Sequence, residues 1–451
     1  MTGKLQRRQF VKLAGALVTT APLARSLPVG MSVEKLRTAH VGVGGMGGAD
    51  LASIASHPQV EVAALCDVDA SRLTSAHAKH PQSRFFSDYR QMLSEMGDSI
   101  DAVVVSTPDH THAPAAMSAM NLGKPVYCQK PLTHEVHEAR RLNEVAQQKK
   151  LVTQMGIQVH SAQPYRRAKR MIQDGMIGRV SHVHAWSNKN WGYDGGAFAS
   201  QVAPPDTLDW NLWIGTASMR PFSPGVYHPG NWRKLIDFGT GTLGDMGVHI
   251  FDTPYGALAL TAPLTVRTEC REPTGIGHPS QNVVEYEFPG TEYTTDRMIW
   301  RWYDGADAPP SADDLALPTD FQLPESYQLP GQGSLFVGEQ GVMLLPHVGE
   351  AVLFPEEKFK DRPRPQLANV NHYHQWVDAC MGKGEASANF SYAGPLTEAL
   401  LLGVVANRFP GKRLEWDAEA MKVTNCPGGS VELANRLLKT EYRKGFTVEN
   451  L

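Results

Sequence analysis

Three segments of this chain hold side chains able to move a proton. Ser106-Thr107-Pro108-Asp109-His110-Thr111-His112 and Cys128-Gln129-Lys130-Pro131-Leu132 each follow a short apolar run, and the glycine-rich stretch 239–252 carries Asp245 and His249 four residues apart. On a helix that spacing puts both side chains on one face, where a carboxylate biases the orientation and basicity of an imidazole. Lys130, between an apolar run and a proline turn, is expected at a sheet edge. A histidine, an orienting carboxylate and a lysine at one crevice suit proton transfer during hydride transfer. Plainer readings stand beside this one. Asp/His pairs commonly decorate helix surfaces, most lysines are solvated, and His110 and His112 either cap the following helix as a polar loop or touch a cofactor.

These groups need a scaffold, and the apolar runs supply one. Runs at 38–43, 61–66, 102–106, 125–128 and 151–154 alternate with amphipathic stretches, the pattern of βαβ units on a parallel sheet. Residues 135–149 place Val136, Ala139, Leu142, Val145 and Ala146 on one helical stripe. The first run ends in Gly42-Val43-Gly44-Gly45-Met46-Gly47. In this GxGxxG spacing the first glycine permits a tight turn, the second admits a pyrophosphate close to the backbone, and the third lets the helix pack on the strand. Asp67, about 20 residues on, is placed to accept hydrogen bonds from ribose hydroxyls and to repel a 2′-phosphate, favouring NAD over NADP. Arg72 is the neighbouring group suited to such a phosphate. The cofactor candidates are therefore Gly42, Gly44, Gly45, Met46, Gly47, Asp67, Thr107, Pro108, His112 and Lys130.

Charge and composition exclude several classes. Against 46 acidic residues stand 43 basic ones, which gives no electrostatic case for nucleic acid or an anionic membrane. Five scattered cysteines without a CxxC spacing suggest neither a disulfide framework nor a zinc site. His182 and His184 share a strand face but lack a third ligand at convincing spacing, so no metal is expected. At the N-terminus Arg7-Arg8 precedes Phe10 and a short apolar stretch at 13–24, well below the roughly 20 residues that span a bilayer. Residues 1–30 therefore read as a twin-arginine export signal, with a periplasmic or otherwise exported product and no stable membrane span. Export through a route for folded proteins implies NAD tightly held in transit. Residues 35–158 are assigned to a dinucleotide-binding domain and 159–451 to a substrate domain. Trp186, Trp191, Trp210, Trp213, Trp232, Trp300 and Trp302 concentrate in the latter, either as core or as faces for a sugar ring. His160, Tyr165, Trp232 and Arg233 are its pocket candidates.

With these motifs the chain resembles the family of glucose–fructose oxidoreductases, inositol dehydrogenases and rhizopine-catabolism proteins (Gfo/Idh/MocA). The resemblance rests on 42–47, Thr107-Pro108 with His112, Lys130-Pro131 and 245–249, and on 209–215, 228–233 and 392–398, which match an exported bacterial branch. It implies an α/β fold: an N-terminal Rossmann domain and a C-terminal α/β domain whose large, open, mainly antiparallel sheet often serves as a homo-oligomer interface. It also implies that Lys130 binds the reacting hydroxyl, with His249 as acid/base and Asp245 beside it. One departure stands out: the family usually has Glu before the Lys-Pro pair, and this chain has Gln129. Losing that carboxylate removes a negative neighbour that would favour protonated lysine. Three functions are carried forward. The first is an NAD(P)-dependent oxidoreductase acting on a carbohydrate or polyol hydroxyl. The second, lacking an evident close match to NAD-dependent N-acetylgalactosaminidases, is a redox-neutral glycoside hydrolase that oxidises its sugar transiently. The third is a non-catalytic sugar-binding protein, against which Lys130, Asp245 and His249 argue.

Overall fold

The computed structural model describes residues 35–198, 202–306, 308–315, 317, 323 and 327–451, so the export signal at 1–30 lies outside the described residues. The first half alternates β1 (Leu36–Val41), α1 (Met46–Ala55), β2 (Val60–Cys66), α2 (Ala70–His77), β3 (Arg84–Phe86), α3 (Tyr89–Met96), β4 (Ala102–Val105), α4 (Asp109–Asn121), β5 (Val126–Gln129), α5 (Val136–Lys149) and β6 (Thr153–Gly156). Its strands pair in parallel in the order β3-β2-β1-β4-β5-β6. Strands β4, β5 and β6 are buried along their whole length, as strands covered on both faces must be. The order reverses between β1 and β4, so the connections from their carboxyl ends run in opposite directions and leave a crevice outside the strand ends. Helix α5 starts with a reciprocal capping box between Glu135 and Glu138 and buries Val136, Ala139, Leu142, Val145 and Ala146. Strand β3 has no counterpart among the apolar runs, since three residues are too few to show a period.

Beyond α6 (Gln163–Gln173) the chain enters a mixed sheet: β7 (Val180–Ser187), β8 (Thr265–Cys270), β9 (Asn282–Pro289), β10 (Thr294–Asp304), β11 (Gln332–Gly338), β12 (Gly341–Pro346), β13 (Val352–Phe354), β14 (Arg413–Asp417) and β15 (Lys422–Asn425). The order is β13-β12-β11-β7-β10-β9-β8-β14-β15, antiparallel throughout except for the parallel β7–β10 pair. Burial alternates strictly along β9. Its inward residues Val284, Tyr286 and Phe288 join Trp300 and Trp302 in a core that continues into the parallel sheet through Phe251, Leu400 and Leu142. On the outward face Glu285 pairs with Arg301, and Glu287 with Arg297 and Arg413. Between β7 and β8 lie α7 (Trp210–Ile214) and α8 (Val248–Ala257), the second preceded by a single wide π-type turn at Leu243–Gly247. Among the described residues no helix is long and apolar enough to cross a membrane.

Candidate active site

A cleft of about 310 Å³ opens at the carboxyl ends of β1, β2, β4 and β5, lined by Gly42, Gly44, Gly45, Met46, Asp67, Thr107, Pro108, His112 and Lys130 from the parallel-sheet half. Its opposite wall comes from later segments, including Trp213, His228, Trp232 and Arg233. Gly42 has φ +81°, and a Cβ there would stand 2.5 Å from the Ser106 carbonyl oxygen. A Cβ on Gly47 would meet the Gly42 carbonyl oxygen at 2.1 Å, so only glycine lets α1 approach β1 this closely. No side chain caps α1, and the residues at its start, Gly44, Gly45 and Met46, line the cleft, where a helix N-terminus favours an anion. The Asp67 carboxylate accepts the Val43 N–H at 2.9 Å and the Asp69 N–H at 3.0 Å. Lone pairs remain on it for two ribose hydroxyls. Burial raises the Asp67 pKa against the pull of these bonds. Arg72 reaches back over the turn, 3.5 Å from Asp69, and its guanidinium occupies the space a Cβ on Gly44 would need. These residues fit a dinucleotide: a bare helix N-terminus for the pyrophosphate and a carboxylate at the end of β2 for the ribose.

His110 and His112 both bond backbone carbonyl oxygens of the protein itself. The His112 ring nitrogens each stand 2.8 Å from a backbone carbonyl oxygen, one of Pro131 and one of Thr107. It lines the cleft with neither nitrogen free, and so ties the turn after β4 to the Lys130-Pro131 turn. His110 is buried against Trp213 and Phe238, with Nε2 3.1 Å from the Trp213 carbonyl oxygen. His182 and His184 stack on one another, and His184 Nδ1 meets the Tyr303 hydroxyl at 3.1 Å. Among the described residues no group of three or more His, Cys, Asp or Glu side chains could hold a metal ion.

Lys130 and Asp245 meet where the two halves face each other. Lys130 Nζ donates to the Asp245 carboxylate at 2.8 Å and to its backbone carbonyl at 2.9 Å. An ammonium has three N–H groups, so one remains for a ligand oxygen. Asp245 also accepts from Arg233 Nε at 3.2 Å and from Trp191 Nε1 at 2.7 Å. The lysine and arginine cations outweigh burial and hold its carboxyl well below the usual range. The Arg233 guanidinium lies over the Trp232 ring, 4.3 Å from its centre. No hydrogen bond joins Asp245 to His249, although the two groups still act on each other electrostatically. Asp245 belongs to the wide π-type turn, which breaks the one-turn stacking that four-residue spacing gives on a regular helix, and its oxygens are committed to Lys130, Arg233 and Trp191. His249 instead stands half-buried with Nδ1 unpartnered, and burial together with Lys130 pushes its pKa well below the ordinary value.

His160 and Tyr165, the pocket candidates of the substrate domain, are not among the residues lining the dinucleotide cleft. They line a second cavity of about 340 Å³, with Asp252, Lys169 and Tyr392, apart from the dinucleotide cleft. There His160 Nδ1 bonds Asp252 at 2.8 Å. Trp186, Trp300 and Trp302 are core, whereas Trp191 and Trp232 contact the Lys130–Asp245–Arg233 group. A carboxylate from α1 stands beside Gln129. Asp50, fully buried, accepts from Gln129 Nε2 at 2.9 Å, from Ser106 Oγ at 2.7 Å and from the Tyr373 hydroxyl at 3.2 Å, and burial pushes its pKa up to about 6. Gln129 Oε1 in turn accepts the Lys130 N–H at 3.1 Å.

Two family models match this chain: one describes an oxidoreductase family with an NAD-binding Rossmann fold, over residues 36–157, and the other the C-terminal alpha/beta domain of that family, over 161–274. The chain belongs to the Gfo/Idh/MocA oxidoreductase family. Within the family it is 30% identical over 152 residues to an inositol 2-dehydrogenase of Salmonella typhimurium, a match covering 33% of this chain and 45% of that protein. It therefore spans less than half the length of that relative. A match of 26% identity to an alpha-N-acetylgalactosaminidase of Shewanella oneidensis covers 68% of this chain and 81% of that enzyme. The fold is shared with the WlbA dehydrogenase from Bordetella pertussis, solved in complex with NADH and UDP-GlcNAcA, at a TM-score of 0.60 and 16% identity over 85% of this chain and 99% of that one.

Proposed function

We propose that this protein is an exported NAD-dependent oxidoreductase acting on a secondary hydroxyl of a carbohydrate or polyol. The observation that carries it is the Lys130 ammonium, held by Asp245 at the mouth of a dinucleotide cleft with one N–H to spare. NAD, bound along the glycine turn, supplies a hydride acceptor. Lys130 then donates its third N–H to the reacting oxygen and stabilises the charge that develops as the hydroxyl loses its proton. His249, kept neutral, is the group assigned to take that proton. Asp245 holds Lys130 and Arg233 in place, and Trp191 and Trp232 supply aromatic faces for the sugar.

A redox-neutral glycosidase remains the second reading, supported by the length of the match to the Shewanella enzyme. Purified holoprotein, screened against free sugars and p-nitrophenyl glycosides, separates the two. Net oxidation yields ketone and reduced nicotinamide in equal amounts; cleavage releases aglycone over many turnovers without net reduction. Neither product from any sugar would leave a binding protein.

Export is proposed from Arg7-Arg8 and carries its own prediction. Arg7→Lys combined with Arg8→Lys should leave the precursor in the cytoplasm, measured by fractionation, and an unchanged periplasmic yield would remove the case for folded transport with NAD aboard.

A further inference from the structure

The loop that follows β12 presents His347 to α6 and α8, far beyond His249 in sequence and outside every motif. Tyr165 stands beneath it. The Tyr165 hydroxyl lies 2.6 Å from His347 Nδ1 and accepts the Val348 N–H at 2.9 Å. The Val348 N–H takes one lone pair of the hydroxyl, which leaves the hydroxyl's own proton able to point at Nδ1, and burial pushes the Tyr165 pKa up to about 12, so the phenol keeps that proton to share. An imidazole that accepts at Nδ1 carries its proton on Nε2. Val348 is held in the left-handed region at φ +62°, a strained conformation for a β-branched residue, and its side chain is 76% exposed. The Tyr165 bond fixes this corner. His347 faces His249, with ring centres 5.8 Å apart, and Lys130 and Lys189 act on both rings. Burial and those two cations keep His347 neutral, with a pKa of about 4.

We propose that His347, locked as the Nε2–H tautomer by Tyr165, is a substrate-binding donor that hydrogen-bonds an oxygen on the carbon next to the one oxidised. This rests on the oxidoreductase reading above and narrows its substrate class to a carbinol with a vicinal oxygen, as in a sugar ring or cyclitol, rather than an isolated secondary alcohol. It also divides the labour between the two imidazoles. Nε2 of His347 already bears a proton and cannot accept one, so proton removal falls to His249.

Histidine-selective 15N NMR of the holoprotein at pH 7 reads the tautomer without turnover. His347 should show a protonated Nε2, and Tyr165→Phe should mix the two tautomers. Titration with myo-inositol and methyl glycopyranosides should shift the His347 Nε2 resonance. In single-turnover reduction of bound NAD by whichever of these react, His347→Ala should lower the rate about 100-fold, as loss of one preorganised donor does, and His347→Gln, which returns an N–H, should recover at least tenfold. Deoxygenating the neighbouring carbon should cost wild type heavily and His347→Ala little, while the pH profile of His347→Gln keeps the shape of wild type. An Nδ1–H tautomer in wild type, or no Nε2 shift with any of these sugars, or undiminished deoxy discrimination in His347→Ala, would overturn the proposal. If none of these sugars reduces the cofactor yet the Nε2 shift is present, the donor role stands and the oxidoreductase reading fails instead.

Discussion

Lys130→Met should lower turnover roughly 10²–10⁴-fold while NAD binding, followed by quenching of protein fluorescence, changes little. Removing one member of a buried ion pair normally destabilises the fold by about 3–5 kcal/mol, because the remaining charge is stranded. Here it is not stranded. Asp245 keeps Arg233 Nε and Trp191 Nε1 as donors, so the variant should fold and its defect should be chemical. His249→Ala should show a loss of similar size, at least about 100-fold. Asp67→Ala should do the opposite, weakening NAD binding through loss of the ribose acceptor and of the bond that steadies the Val43 N–H, with little effect on turnover at saturating NAD. A Lys130→Met enzyme with full activity would sink the mechanism.

Most of the parallel-sheet half was legible because its signals are local. The glycine turn, the strand before it and Asp67 after it specify one another within about 30 residues, and Lys130 is placed by the strand it ends. The group around Lys130 was legible only in part. Asp245 and Arg233 are legible in the sequence, but the π-type turn at Asp245 has no sequence period, so its hydrogen bond to Lys130 does not show in regular helical spacing. Trp191 and His347 could not be separated from ordinary core and loop residues, since what selects them is a through-space bond to Asp245 and to Tyr165. The Gln129 departure looked like loss of a charge. A carboxylate nevertheless stands beside it, because the side chain of Asp50 reaches Gln129 from 79 positions away, and long-range contacts of this kind leave no trace in a single sequence.

Asp304→Asn should flatten much of the pH dependence of stability between about pH 4 and pH 8. Asp304 closes β10 with one carboxylate oxygen accepting from Trp302 Nε1 at 2.8 Å and the other buried without a partner. Among the described residues no cation offsets this, so burial dominates and pushes its pKa up to about 8. In the unfolded chain the same carboxyl ionises near pH 4. Below about pH 4 both states are protonated and the group contributes fully to the fold. As pH rises, the unfolded state releases its proton first, and stability falls until the folded carboxyl also ionises near pH 8, after which the loss is complete. At about 1.4 kcal/mol per unit the loss is on the order of 3–5 kcal/mol, the larger full-shift figure being reduced for relaxation around the charge. The substituted side chain would leave an unsatisfied amide at every pH, a constant cost that shifts the whole curve without tilting it. Asp50, with a pKa of about 6, and Glu138, whose pKa burial and the neighbouring Glu135 raise, tilt the wild-type curve the same way, so the test is the difference between variant and wild type. Urea denaturation from about pH 4.5 to about pH 8.5 should show that difference moving in favour of the variant by several kcal/mol; parallel curves would mean that Asp304 is ionised in the folded protein throughout.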